Sequence, residues 1–275
     1  GRDASQRSRP GIDIRFASLD SSGMFEISFI PAFKDNYIWL LTRGKRAFVV
    51  DPGDAAPIQA RLASEGLCLE GILITHHHAD HQGGVAELAA GWPVRVYAPG
   101  NESITGCTDP LSGGECSDVR GEAVRGMAVP GHTRGHLAYY AKGALFCGDT
   151  LFAGGCGRVF DGDMAAMHAS LMQLARLSAD TQVYCAHEYT QSNLRFAMAV
   201  EPDNAALAER VRDVAAKRAN GEATVPSNIG LELATNPFLR CDEPAVIAAA
   251  QQHAPQATTP LEVFTALRDW KNHFR

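Results

Sequence analysis

Residues 75–84 read THHHADHQGG and follow directly on the apolar run 71–74, so His76, His78, Asp80 and His81 crowd into six positions at the end of a predicted buried strand. A divalent cation needs several nitrogen or oxygen donors converging on one point. A loop can turn alternate side chains inward, where a regular helix or strand would splay them apart. The chain must therefore fold so that a strand, a polar loop and a new helix meet at this cluster. A histidine-rich surface loop is the plain alternative, and four donors in this order weigh against it.

More donors stand at loop positions, each after an apolar run: His132 in VPGHTRGH, Asp149 in FCGDTLF and His187 in YCAHEYT. Singly, His136 could serve as the ligand of its motif as well as His132, and Asp149 could be a turn aspartate after Gly148. Jointly the donors form two clusters, which suggests two ions. Cys147 and Cys185 stand two residues before candidate ligands and read as buried small apolar side chains rather than thiolates.

Around these motifs the pattern is layered. Residues 37–41 and 47–50 read as a hairpin ending in the Asp51-Pro52-Gly53 turn, and a helix follows to Gly66. Further strands are predicted at 94–98, 123–129, 137–140, 144–147 and 182–186, with a helix over about 163–177. Strands with interspersed helices define an α/β class. Beyond His187 only helical patterns follow. Leu207, Val211 and Val214 form a stripe, Pro244 opens a helix, and Thr259-Pro260-Leu261-Glu262 reads as a capping box. A boundary is expected near 188, giving a domain over 24–187 and a helical one over 188–275. Residues 1–23 mix arginines with aspartates, lack the apolar core of a secretory signal, and read as a leader or appended remnant outside the fold.

A chain of 275 residues, 45% hydrophobic, can bury a large core. No apolar run approaches the roughly 20 residues that a membrane span needs. The net charge of −6 offers no general attraction for nucleic-acid phosphates. Seven cysteines, scattered and never paired as C-x-x-C, speak against a disulfide framework or a thiolate zinc site and for a reducing cytoplasm.

THHHADH, GHTRGH, the GDTLF aspartate and the HEY histidine resemble the successive metal motifs of the metallo-β-lactamase superfamily. FIPAFKDNY (29–37), FAGGCGR (152–158), HEYTQSNLRFA (187–197) and TNPFLR (235–240) narrow the resemblance to the glyoxalase II (hydroxyacylglutathione hydrolase) family, along nearly the whole chain after Met24. The resemblance implies a metallo-β-lactamase-like αββα sandwich followed by a smaller all-helical C-terminal domain. It puts His76, His78 and His132 on one ion, Asp80, His81 and His187 on the other, and Asp149 between them, leaving His136 structural. Asp51, in VVDPGD, matches a family position near the site, although turn chemistry explains it nearly as well. The cofactors implied are two divalent ions, zinc first, with iron or manganese as alternatives for such donors.

The same resemblance assigns Arg158, Tyr189, Arg268 and Lys271 to glutathione contacts. Arg268 and Lys271 share a face of a predicted helix beside the stripe Val263, Leu267, Trp270 and Phe274, and periodicity alone would make them an ordinary solvated face. Where some members carry lysine and tyrosine, this chain has Arg158 and Phe160. The arginine keeps the cation and adds bidentate geometry, while the phenylalanine lacks a hydroxyl.

The implied reaction is hydrolysis of S-(2-hydroxyacyl)glutathione thioesters, S-D-lactoylglutathione giving D-lactate and glutathione in methylglyoxal detoxification, through a hydroxide bridging the metals. The expected partner is this small molecule, with no nucleic acid and no membrane, and the protein is expected to be a cytoplasmic monomer. Alternatives are another enzyme of the same fold, such as a persulfide dioxygenase with one iron and open coordination positions, or a non-catalytic metal-binding protein.

Overall fold

The computed structural model describes residues 25–275, and the expected leader over 1–23 lies outside them. One sheet runs β1 (Glu26–Ala32), β2 (Asn36–Arg43), β3 (Arg46–Val50), β4 (Cys68–Leu73), β5 (Arg95–Pro99) and β6 (Asp109–Leu111) in spatial order. The other contains β7 (Cys116–Val119), β8 (Glu122–Ala128), β9 (Leu137–Ala141) and β10 (Ala144–Gly148). A small hairpin of β11 (Leu151–Phe152) and β12 (Gly155–Cys156) follows, before β13 (Gln182–Cys185) and β14 (Ser227–Asn228) complete that second sheet beyond β10. The helices are α1 (Ala55–Glu65), α2 (Ala79–Gln82), α3 (Val85–Gly91), α4 (Met164–Ala175), α5 (Thr190–Val200), α6 (Ala205–Ala219), α7 (Ile229–Thr235), α8 (Pro244–Gln251) and α9 (Pro260–His273).

The layers follow from the period-2 alternation of a strand. On β2, Ile38 and Leu40 pack with Ile58, Leu62, Val85 and Leu88 of α1 and α3. Tyr37, Trp39 and Leu41 point the other way, into a core shared with Tyr139 and Phe146 of the second sheet. That second sheet is covered by Met167, Leu171 and Leu174 of α4 and by Phe264 and Leu267 of α9, which continue the same core. The result is the expected helix–sheet–sheet–helix order. Each such large side chain, fully buried, contributes about 1.5–3 kcal/mol. Tyr139 is wholly buried and stays satisfied by donating its hydroxyl to Ile74 O at 2.7 Å.

Helix ends match their sequence signals. Asp54 caps α1 and Gly66 closes it at φ 61°, a left-handed conformation that glycine adopts freely. Thr259 and Glu262 form a complete capping box around Pro260 on α9. One expectation is corrected. Beyond His187 the chain is not purely helical, because β14 pairs antiparallel with β13 (Val183 against Ser227) and so extends the second sheet. A two-residue strand is too short to leave a periodicity in the sequence. Among the described residues no helix is long and apolar enough to cross a membrane.

Candidate metal centre

The sequence-predicted donors stand on the loops, and one short helix, that follow the C-terminal ends of strands, and the two sheets bring them together. His76 and His78 follow β4, and Asp80 and His81 lie on the short α2. His132 follows β8, Asp149 follows β10 and His187 follows β13. Donor atoms of His76, His78, His132 and Asp149 all lie within 4.8 Å of one another, as do those of Asp80, His81 and His187. Asp149 reaches both groups: its Oδ2 is 3.4 Å from His132 Nε2 and 3.4 Å from His81 Nε2, and its Oδ1 is 3.3 Å from His187 Nε2.

The protons on these imidazoles can be placed from their outer partners. His132 Nδ1 faces Arg158 O at 2.7 Å, His81 Nδ1 faces Asp51 Oδ2 at 2.9 Å and His187 Nδ1 faces Asp35 Oδ1 at 2.8 Å. These acceptors hold a proton on Nδ1 and turn Nε2 inward, the arrangement that orients metal-binding histidines. His76 Nδ1 lies 2.9 Å from Thr75 Oγ1, whose own proton goes to Asp51 Oδ2 at 2.7 Å, so the same tautomer holds there. His76 Nε2 and His132 Nε2 stand 3.0 and 3.1 Å from His78 Nδ1, three nitrogens around one point.

The donors fit divalent ions on two further grounds. His81 Nε2 and Asp149 Oδ1 are buried with no hydrogen-bond partner, a costly state for polar atoms unless something else engages them. The charges agree. Burial pushes His76 and His132 down from their ordinary values, which keeps them neutral ligands. Burial alone would raise Asp149, but His81 and His187 hold it well below the usual carboxylate range. Those two imidazoles are in turn raised, against the effect of burial, chiefly by Asp149. A buried carboxylate that draws positive charge onto its neighbours suits a site for cations.

A cavity of about 520 Å³ opens on these donors and is lined as well by Arg158, Phe160, Tyr189, Arg268 and Lys271. Tyr189 stacks on His187 with ring centroids 4.7 Å apart, and burial pushes its hydroxyl up to about 12. Phe160 is 63% exposed and meets His78 and His132 edge-on. Lys271 is lowered by burial and then by the cations Arg268, Arg158 and Arg195. A group of like charges around one cavity wall attracts anions. The solvated-face reading of Arg268 is overturned: it is 4% exposed, its Nη1 donates to Cys156 O at 2.8 Å, and its Nε has no partner. Helical periodicity shows which face a residue takes, and says nothing of what covers that face.

His136 stays outside the donor groups. It stacks on His76 at 4.6 Å and its Nε2 accepts from Asp149 N at 3.2 Å. Asp51 is more than a turn residue. Buried at φ 54°, it accepts from Thr75 N and Oγ1 as well as from His81. Sequence reasoning missed Asp35, Asn36 and Glu102. Asn36 Nδ2 donates to Asp80 Oδ2 at 2.9 Å, and Glu102 accepts from His77 N and Gly135 N, tying two donor loops together. The Asp-Asn pair inside FKDNY was a usable signal for the first two; Glu102 left none.

Sheet order and donor set together define a protein of the metallo-β-lactamase superfamily. The family model of that superfamily matches residues 33–187, and the model described as hydroxyacylglutathione hydrolase C-terminus matches 188–274. The chain belongs to the hydroxyacylglutathione hydrolase family. A hydroxyacylglutathione hydrolase of Dechloromonas aromatica is 65% identical over 265 residues, covering 91% of this chain and all of that protein. Among solved structures, ETHE1 from Myxococcus xanthus shares the fold at 20% identity and TM-score 0.61, covering 92% of this chain and 100% of that one. TTHA1623, solved in a di-iron-bound form, is 26% identical with TM-score 0.54, covering 74% of this chain and 95% of that one.

Proposed function

We propose that the chain hydrolyses S-(2-hydroxyacyl)glutathione thioesters, S-D-lactoylglutathione foremost, releasing a 2-hydroxy acid and glutathione in the detoxification of methylglyoxal. The observation that carries this is one cavity lined both by His78, Asp80, His132, Asp149 and His187, drawn from the two donor groups that Asp149 touches, and by Arg158, Arg268 and Lys271, cations suited to the carboxylates of glutathione. His76, His78 and His132 are proposed to hold one divalent ion, and Asp80, His81 and His187 the other, with Asp149 common to both; zinc suits this mixture of nitrogen and oxygen donors best. When bound, such ions supply Lewis acidity and make hydroxide available near neutral pH.

The chain's own residues prepare the rest. Asp51, Asp35 and the Arg158 carbonyl keep histidine lone pairs aimed inward. Lys271, Arg268 and Arg158 are proposed to take the glutathione end, and Tyr189 to flank it. The leaving thiol, with a pKa near ~8.5, departs as the anion, so no dedicated acid is required. Residues 24–187 are thus assigned the chemistry and 188–275 substrate binding. All cysteines are free, which fits a reducing cytoplasm, and the site is complete within one chain, which fits a monomer. The deciding experiment is elemental analysis paired with turnover of S-D-lactoylglutathione. About two ions per chain and efficient hydrolysis are expected; metal-replete protein inert toward the thioester would overturn the reading.

A further inference from the structure

We propose that Asn236 and Glu232 are positioning residues that lock the cavity wall 152–157 from the helical side, and thereby set the spacing between the metal donors and the glutathione-binding cations. The proposal rests on the hydrolase reading above. Neither residue lines the cavity and both are wholly buried. Asn236 Nδ2 donates to Gly155 O at 2.9 Å and to Glu232 Oε2 at 3.0 Å, with Phe152 O at 3.4 Å, while its Oδ1 accepts from Phe238 N. Glu232 Oε2 accepts from Gly154 N at 2.9 Å. Its Oε1 accepts from Arg210 Nη2 and from Ser227 Oγ at 2.5 Å each.

This network joins α6, α7 and the β11–β12 hairpin through buried, charge-assisted contacts. A buried carboxylate is costly to hold and is retained here with its partners satisfied, the condition under which a polar network specifies one geometry. The held wall has no slack. A Cβ on Gly155 would stand 2.6 Å from Asn193 Cγ, and one on Gly157 would stand 1.9 Å from Asp149 O. The wall also carries function at both ends: Phe152 packs against the rings of His187 and Tyr189, and Cys156 O receives Arg268. Asp149 N is anchored through His136, and the outer partners Asp51 and Asp35 of His81 and His187 lie outside the wall, so loosening it acts first on the Cys156 O–Arg268 contact and on the spacing between the two subsites.

The test is steady-state kinetics on metal-replete Asn236→Ala with two substrates, S-D-lactoylglutathione and S-lactoyl-N-acetylcysteamine, a thioester without the glutathione carboxylates. The expected result is a KM for the glutathione thioester raised about tenfold, the loss of one charge-assisted contact. With it, kcat should stay within about threefold, the truncated substrate should be unaffected and metal content should equal that of wild type. Equal losses on both substrates, or a lowered Tm with unchanged KM, would mean the network serves stability alone. Should Asn236→Ala not fold, the double variant Arg210→Met with Glu232→Leu, which removes both buried charges together, carries the same expectation and the same refutation. Wild type that cleaves neither thioester sinks the hydrolase reading and the proposal together; wild type that cleaves both, with variant KM unchanged, sinks the proposal only.

Discussion

At the scale of single residues, the donors were legible and their supports were not. His76, His78, Asp80 and His81 announce themselves because a loop after a strand concentrates them, whereas Asp51 and Asp35 left only a motif position each and Glu102 left nothing, since a lone carboxylate gains its role when folding sets it against a histidine. Asp149 shares contacts with both donor groups, so Asp149→Ala should lose both metal and activity, as read by elemental analysis and thioester turnover; retention of two ions with normal rate would remove it from its shared position. Asp35→Ala is milder. It leaves His187 unoriented, and metal affinity should fall about tenfold to a hundredfold in competition with a chelator. The two cations of α9 should also separate. Lys271→Ala removes a half-buried charge from the cavity wall; if, as proposed, ground state and transition state use it alike, KM should rise about tenfold to a hundredfold with kcat nearly constant. Arg268→Ala should raise KM and lower Tm together, because its guanidinium also satisfies Cys156 O, and Arg268→Lys should not restore KM, since a lysine cannot reproduce the planar fork. An unchanged KM in all three would remove both cations from the proposed substrate contacts.

At the scale of elements, strands with a buried face and helices with caps were readable, because periodicity and end chemistry are local. β14 and the 152–157 hairpin were not, since each exists only through what it pairs with. The capping box on α9 gives a pH-dependent check. Glu262 is held down to about 2 by the backbone N–H groups of Thr259 and Thr258. A carboxylate whose folded value is depressed contributes stability above its ordinary value and loses it as pH falls toward the folded one. Thr259→Ala should therefore lower Tm near neutral pH by roughly 2–4 °C, the effect of losing one cap in a chain of this size. Glu262→Gln should differ from wild type near neutral pH and converge with it as the pH approaches about 2. A constant difference across that range would show that the carboxylate's charge is not what holds the helix start.

At the scale of the whole molecule, the donor groups join at one edge the two sheets that the shared core already packs face to face. His76, His78, Asp80 and His81 belong to the first sheet's loop, while His132, Asp149 and His187 hang from strands of the second, so ions held there cross-link the sandwich at one edge. Without them Asp149 is a buried carboxylate whose Oδ1 makes no hydrogen bond, and only the neighbouring imidazoles of His81 and His187 offset the cost of burying its charge. Removing metal with a chelator should then lower Tm as well as abolish turnover, and zinc should restore both. The dependence is quantitative. A ligand that binds the folded chain and not the unfolded one stabilises by RT ln(1 + [L]/Kd), so each tenfold rise in free zinc above Kd should add about 1.4 kcal/mol per site. Asp149→Ala should lose most of that dependence, because neither donor group keeps its shared carboxylate. Lys271→Ala should keep it in full, since Lys271 lines the cavity outside both donor groups. Thermal melts across a series of buffered zinc concentrations separate these cases. A Tm in wild type that ignores free zinc, while activity follows it, would mean the ions sit in a site the sandwich has already built and contribute chemistry without holding the sheets together.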